Sequence, residues 1–573
     1  MSNPRNRILA STALALVLAA PLGYFAKGHL AAMAATSAEP AATQFAPATV
    51  APAAAPAAAT PANEPVATPA SAPATVTEPS AQPAAATEQT AIEPAVAPDP
   101  LAALDPADRA VAENIRDLLA TRGDKLFTAK KERAAVEAFY QNRNLAPLWL
   151  DKGIQNARAE AVIARMKNAD ADGLDPGDYK APSFAGLAPE ALAEAELRLT
   201  RAVLTYARHV QAGRFPYTRV SKNIELPQAA PEPADVLSSV ADAANAGKAL
   251  DLYSPQNEHY RKLRSALADL RGKPGASKGQ IDTITANMER WRWYPRDLGN
   301  AYSLVNLPDF TLRVMHNGGQ VWTTRIVIGK PSMPTPLLSE TMKYLTVNPT
   351  WTVPQSIVRN EYLPALAQDP TVLDRMGLRV SYNGGGVTIT QPPGDGNALG
   401  RVRFSFNNRF SVFQHDTPDK GYFNDTVRAY SHGCMRVQDP PKYAEVLLNI
   451  ARPSEHWTAE KIRKMYGGAE RDLPLQSTPI WVHLTYQSAF VDDNGKLQFL
   501  RDVYNLDSRT IAAIKGERAM IDPKEERKKE DLTASSNSGQ RRIVAPPRNF
   551  FEALFGGGQG FSPQPMPQRR VMR

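Results

Sequence analysis

The chain has 573 residues, with 66 Lys and Arg against 58 Asp and Glu, a formal charge of +8, 49 prolines and a single cysteine. At about 150 residues per domain the length allows three or four domains, but proline and alanine tracts near the ends remove a substantial part of the chain from any packed core. Residues 520–573 hold ten Lys/Arg and six Asp/Glu, so half of the surplus charge belongs to a tail; a basic groove for nucleic acid is not implied, and a lone thiol excludes an intramolecular disulfide.

Arg5 and Arg7, an apolar run from Ile8 to Phe25 and the small residues Ala31, Ala32, Ala34 and Ala35 give residues 1–35 the layout of a secretory signal, and with it an expectation of export. The run is near the lower limit of about 17 to 25 residues for a spanning helix, so an uncleaved inner-membrane anchor is the second reading. Residues 36–104 are dominated by Ala, Pro, Thr, Glu and Val without periodicity and read as a disordered linker. Extended at about 3.1 Å per residue, such a linker reaches on the order of 200 Å, as a tether or as a passive spacer.

From 105 to 275 the texture is that of an α-helical domain. Val111, Ile115, Leu118 and Leu119 share one helical face, Val136, Phe139 and Tyr140 mark a second, Val162 and Met166 a third, and a longer pattern from Pro189 to Val210 stops at Gly213. Asp170, Asp172 and Asp175 lack the glutamate that would close a calcium loop, so a capped turn is expected there. Tyr260–Arg271 then runs almost directly into the next segment, leaving no room for a separate binding module.

Residues 276–518 are β-rich. Thr311–His316 and Gln320–Ile328 flank Asn317-Gly318-Gly319, a hairpin signal, and the pattern repeats around Asn383–Gly386 and Asp493–Gly495. Further strands are expected at Val402–Phe406, Ser411–His415 and Trp481–Tyr486, with an insertion at about 355–399. Trp291, Trp293 and Trp351 read as core residues rather than sugar platforms. A charged, then Pro- and Gly-rich tail, 519–573, closes the sequence.

Within this region Cys434 sits in Ser431-His432-Gly433-Cys434, nineteen positions after His415. A nucleophilic thiol needs a neighbour that takes its proton, and imidazole is matched to that task near neutral pH. His415 ends a predicted strand and is the favoured base; His432 supports it. Gly433 allows close backbone approach and leaves N–H groups for a developing oxyanion. A zinc site built from His415, His432 and Cys434 lacks the usual ligand spacing, so no metal is expected.

The His415-Asp416 pair and Ser431-His432-Gly433-Cys434-Met435-Arg436 resemble the signature of the YkuD-type L,D-transpeptidases. Asn287–Trp293, Asn348–Pro354 and Pro479–Leu484 resemble the large periplasmic YcbB-like branch of that family, as does arginine at position 436. The resemblance implies a multidomain α+β protein: a helical scaffold domain plus a YkuD-like antiparallel β-sandwich, with a lid-forming insertion, flanked by a disordered N-terminal linker and C-terminal tail. It implies a periplasmic enzyme without cofactor acting on peptidoglycan stem peptides. Cys434 would attack the carbonyl of the third stem residue and release the terminal D-alanine. An amine of a second stem would resolve the thioester to a 3-3 crosslink. His415 would act as general acid/base; Gly433, His432 and Ser431 as oxyanion and support residues; Arg436 and Tyr430 as substrate contacts. An envelope-protein amine or water as acceptor, and a non-catalytic wall-binding scaffold with a buried Cys434, are the competing readings. A papain-like order of cysteine before histidine is absent.

Overall fold

The computed structural model describes residues 100–516 apart from 384–385 and 476–477. The expected signal, nearly all of the linker and the tail lie outside the described residues. The linker boundary at 104 needs correcting. A turn at Pro100–Ala103 buries Leu101, and the Leu101 carbonyl accepts from Arg109 Nε at 3.1 Å, so one apolar residue and one guanidinium draw the end of the linker into the fold. No helix of the described residues is long and apolar enough to cross a membrane.

The first helix, Pro106–Leu126, starts where Asp105 accepts from the Ala107 N–H and proline occupies the first turn, which loses nothing by lacking an amide proton there. It passes Gly123 because Leu126 and Phe127 still have a core to enter. Pro189–Ala212 ends at Gly213, with φ +91°, a conformation that disfavours any side chain. A Cβ at Gly213 would also lie 2.5 Å from Glu289 Oε1. Of the three aspartates, Asp175 caps a turn by accepting from the Gly177 N–H. Asp172 does something else: fully buried, it pairs with Arg165 at 2.5 Å and Arg264 at 3.3 Å and accepts from Tyr260 Oη at 3.2 Å.

The helix Lys278–Trp291 joins the helical region to the sheet. The Asn287 amide exchanges two hydrogen bonds with Ser488, at 2.9 and 3.0 Å, and Arg290 Nη2 reaches Asp507 Oδ1 at 2.6 Å. Arg292, on the helix's far end, pairs with Glu289 and donates to Tyr260 Oη. Trp291, Trp293 and Trp351 are 3, 0 and 5 % exposed, as expected of core residues.

Eight strands follow one another in space as Val402–Phe406, Gln414–His415, Met435–Val437, Gly319–Gly329, Thr311–His316, Ala301–Asn306, Ile480–Thr485 and Leu337–Val347. The last pairs back onto the first, Val347 opposite Val402 and Leu345 opposite Phe404, so the path closes. Closure removes the exposed edges a flat sheet would present. The hairpins are antiparallel, and Asn317 and Gly318 take the positive φ values, 52° and 78°, that a tight two-residue turn needs. The sheet is nevertheless mixed. Gln414–His415 with Met435–Val437, Ala429–Ser431 with Gly319–Gly329, and Ile480–Thr485 with Ala301–Asn306 pair in parallel, because each of these connections crosses over instead of turning back.

The strand expected at Ser411–His415 is shorter than its alternating pattern suggests. Only Gln414 and His415 pair; the Asn408 side chain donates to the Val412 carbonyl and accepts from its N–H, and Ser411 adopts φ +55°, so residues 407–413 form a loop. The insertion is a separate layer. Trp351–Thr352, Gly386–Gln391 and Arg379–Asn383 form a three-stranded sheet, and Trp351, Val358, Tyr362, Leu373 and Ile389 give it a small core of its own.

Replacing Asp172 with alanine removes the buried counter-charge of Arg165 and leaves it only the half-exposed Asp251, at 2.6 Å. Loss of one member of a buried ion pair costs about 3–5 kcal/mol, and a urea midpoint for Asp172→Ala within error of wild type would show that the cluster contributes no stability.

Candidate active site

The parallel pairing of Gln414–His415 with Met435–Val437 sets the geometry of the site. Gln414 lies opposite Met435 and His415 opposite Arg436, and the Met435 N–H donates to the Phe413 carbonyl at 3.1 Å. Side chains alternate along a strand, and partners in register share a face. Phe413 and His415 therefore face the same side as Cys434 and Arg436. Gln414, fully buried on the opposite side, accepts from Tyr443 Oη at 2.8 Å, which anchors the short strand to the helix Pro440–Ala451.

The turn before Cys434 is fastened from several directions. Gly433 has φ +114°, a region open to glycine, and its carbonyl accepts from Thr335 Oγ1 at 2.8 Å. Thr335 Oγ1 in turn accepts from the Gly329 N–H, and Tyr504 Oη donates to the Gly329 carbonyl. A Cβ on Gly329 would lie 2.3 Å from the Met333 carbonyl oxygen and 3.0 Å from Gly433 Cα. Ser431 Oγ donates to the Cys434 carbonyl at 2.5 Å and accepts from the Gly433 N–H at 3.2 Å. The oxyanion expectation narrows accordingly: the Gly433 N–H is already engaged by Ser431, whereas the Cys434 N–H makes no hydrogen bond among the described residues.

His415 is buried, and its Nδ1 lies 2.5 Å from the Asp416 carbonyl oxygen. That contact places the ring proton on Nδ1 and leaves Nε2 as a proton acceptor. The Asp416 carboxylate is committed elsewhere, to Lys420 Nζ and to the N–H groups of Thr417 and Arg401. Burial, reinforced by the cations of Arg436, Lys420 and Arg403, pushes the imidazole down to about 3. Burial pushes the half-buried Cys434 thiol up to about 11, against a contact with Phe413 and the charge of Arg436, which favour the thiolate. The two groups thus rest as thiol and neutral imidazole, suited to proton transfer during attack and not to a standing ion pair.

The other expected residues fall into two groups. Arg436, 2 % exposed, lies with its guanidinium 5.4 Å from the centre of the Tyr422 ring; Tyr422 packs on Tyr430, and Tyr430 Oη donates to Asp425 Oδ2. His432 is drawn toward the insertion instead, its Nε2 lying 2.8 Å from Glu361 Oε1 and 3.4 Å from Lys330 Nζ. The insertion's core also packs on Phe413, so the lid-like layer touches the site at both strands. Sequence reasoning missed Thr335, Tyr422, Tyr504, Glu361 and Lys330. Only Gly329 carried a signal, since a glycine closing a strand often marks close backbone approach. Among the described residues no three His, Cys, Asp or Glu side chains gather closely enough to hold a metal ion.

If the thiol titrates near 11, alkylation of Cys434 by neutral iodoacetamide should accelerate about tenfold per pH unit from pH 6 through 9, following the thiolate fraction. A plateau beginning below pH 8 would reveal a thiolate–imidazolium pair and contradict the neutral resting state.

Residues 134–267 match a family model described as a scaffold domain, and residues 300–467 match one described as the YkuD L,D-transpeptidase catalytic domain. A Haemophilus influenzae protein assigned as an L,D-transpeptidase is 25 % identical over 402 residues, covering 64 % of this chain and 77 % of that protein. An L,D-transpeptidase from Mycobacterium smegmatis is similar in structure at 13 % identity and a TM-score of 0.18, over 33 % of this chain and 59 % of that one, so the chain spans less than two thirds of that relative. A variant of an Enterococcus faecium L,D-transpeptidase aligns over 45 % of this chain and 93 % of its own, at 13 % identity and a TM-score of 0.15. Residues 300–467 thus carry a YkuD L,D-transpeptidase catalytic domain, with a scaffold domain ahead of it at 134–267.

Proposed function

We propose that the protein is an exported cysteine acyltransferase of the cell wall, working in the periplasm on peptidoglycan stem peptides and forming 3-3 crosslinks. The observation that carries this reading is the parallel register that brings the His415 strand beside the strand leading out of Cys434. As the sulfur attacks the carbonyl carbon of the third stem residue, His415 Nε2 takes the thiol proton and a C–S bond forms. The oxygen of the tetrahedral intermediate is held by the Cys434 N–H, a type of contact whose loss costs about 3 to 4 kcal/mol in other enzymes. Collapse breaks the C–N bond, and His415 returns its proton to the departing amine of the terminal D-residue. An amine of a second stem then replaces the sulfur.

Charge supports the same substrate class. Arg436, Arg403 and Lys420 act on His415 together, and Lys330 stands beside His432; such a cluster favours a peptide rich in carboxylates. Arg436 and Tyr430 serve as donor contacts, Ser431 as the brace of the turn, and His432 as its link to the lid. In this reading the N-terminal segment directs export or anchors the chain at the inner membrane, and the linker gives the catalytic region reach toward the wall.

Incubation with a purified tetrapeptide stem should give a Cys434 thioester by mass with loss of one D-alanine, and crosslinked dimers when a second stem is present. Cys434→Ala should form neither, and His415→Gln should acylate about 10²- to 10⁴-fold more slowly. Thioester formation that survives Cys434→Ala overturns the assignment; tripeptide alone, or adducts to protein amines, would redirect it to a carboxypeptidase or a protein-anchoring enzyme.

A further inference from the structure

One carboxylate stands at this site that the acylation step does not use. Glu361 lies in Val358–Tyr362, a π-helical stretch of the insertion; such stretches are rare and concentrate where function repays their poorer geometry. Its Oε1 accepts from His432 Nε2, two residues before the nucleophile, while the described residues offer no donor to Oε2. The side chain remains 28 % exposed. The nearby carboxylates are spoken for: Asp416 by Lys420 and two backbone N–H groups, Asp425 by Tyr430. Cations dominate the surroundings of His415 and His432, through Arg436, Arg403, Lys420 and Lys330, with Asp419 facing Arg436. In such a field the half-engaged carboxylate of Glu361 is the favoured place beside His432 for a positively charged reactant.

We propose that Glu361 is a specificity-determining residue of the second half-reaction, holding the ammonium group of the acceptor beside the thioester so that the acyl group passes to an amine in preference to water. The inference rests on the thioester reading above. An alkylammonium carries three donors, so it can engage Oε2 while Oε1 keeps His432. The held ammonium loses one proton to solvent. Its nitrogen then bonds to the thioester carbon, the C–S bond breaks, and the surplus proton on nitrogen passes through His415 to the departing sulfur, restoring the thiol. Because the insertion carries Glu361, the acceptor subsite is complete only when this layer rests on the His432 turn.

The test is a partition experiment with the full chain, a tetrapeptide stem as donor and a tripeptide stem bearing a free side-chain amine as acceptor. Mass spectrometry counts the amide product, the hydrolysed donor and the Cys434 thioester. Glu361→Gln should lower the amide-to-acid ratio about tenfold, the scale of one charge-assisted hydrogen bond, through a higher KM for the amine. Glu361→Lys should lower it further, and Glu361→Asp should keep most of it. A ratio indifferent to the charge at 361 overturns the proposal, as does an equal fall of both products, which marks the residue as structural. A wild-type protein that forms no thioester overturns the proposed function as well, whereas a normal thioester with an unaltered ratio overturns this inference alone.

Discussion

The site depends on two residues of strand, Gln414 and His415, lying parallel to Met435–Val437. That pairing closes the sheet and carries the imidazole to the thiol's face in one step. A slip of a single residue would send His415 to the opposite side and Gln414 to the cleft. The register is therefore held redundantly: by Tyr443 on Gln414, by the Asp416 N–H on the Val402 carbonyl, and by the Met435 N–H on the Phe413 carbonyl.

The same burial that fixes the register determines the chemistry. A dry pocket penalises charge on either partner, so the imidazole resists protonation and the thiol resists ionisation. Arg436 offsets part of the second effect, and it is placed opposite His415 by the same strand register. On the proposed mechanism the thiol stays quiet until a substrate carbonyl arrives and gives the moving proton a reason to leave. A resting thiol would also suit the export proposed above, since a standing thiolate is vulnerable in an oxidising compartment.

Much of the architecture was legible in local chemistry. Helical faces, the Gly213 stop, the Asn317-Gly318 turn and the core tryptophans each follow from short-range rules, and a strand read as ending at His415 is what singled that histidine out beside the Cys434 motif. What was not legible depends on distant partners. Alternation before His415 suggested a longer strand, but the Asn408 side chain captures both backbone groups of Val412 and folds a loop there. The parallel pairings could not be read because a strand's own sequence does not announce its neighbour's direction. Ser431 took the Gly433 N–H that seemed free for an oxyanion, and His432 turned toward Glu361, 71 positions away in sequence.

The Asn287 and Arg290 contacts bear on how the molecule is made. Their partners, Ser488 and Asp507, lie 201 and 217 positions further along the chain. A buried guanidinium without its counter-charge is costly, and contacts of such separation form late because the intervening loop must first be closed. The junction between helices and sheet therefore stays unfinished until almost the whole described chain has been delivered. The barrel cannot lock before the helix Leu506–Ile514 has joined it, a delay that would serve the export proposed above.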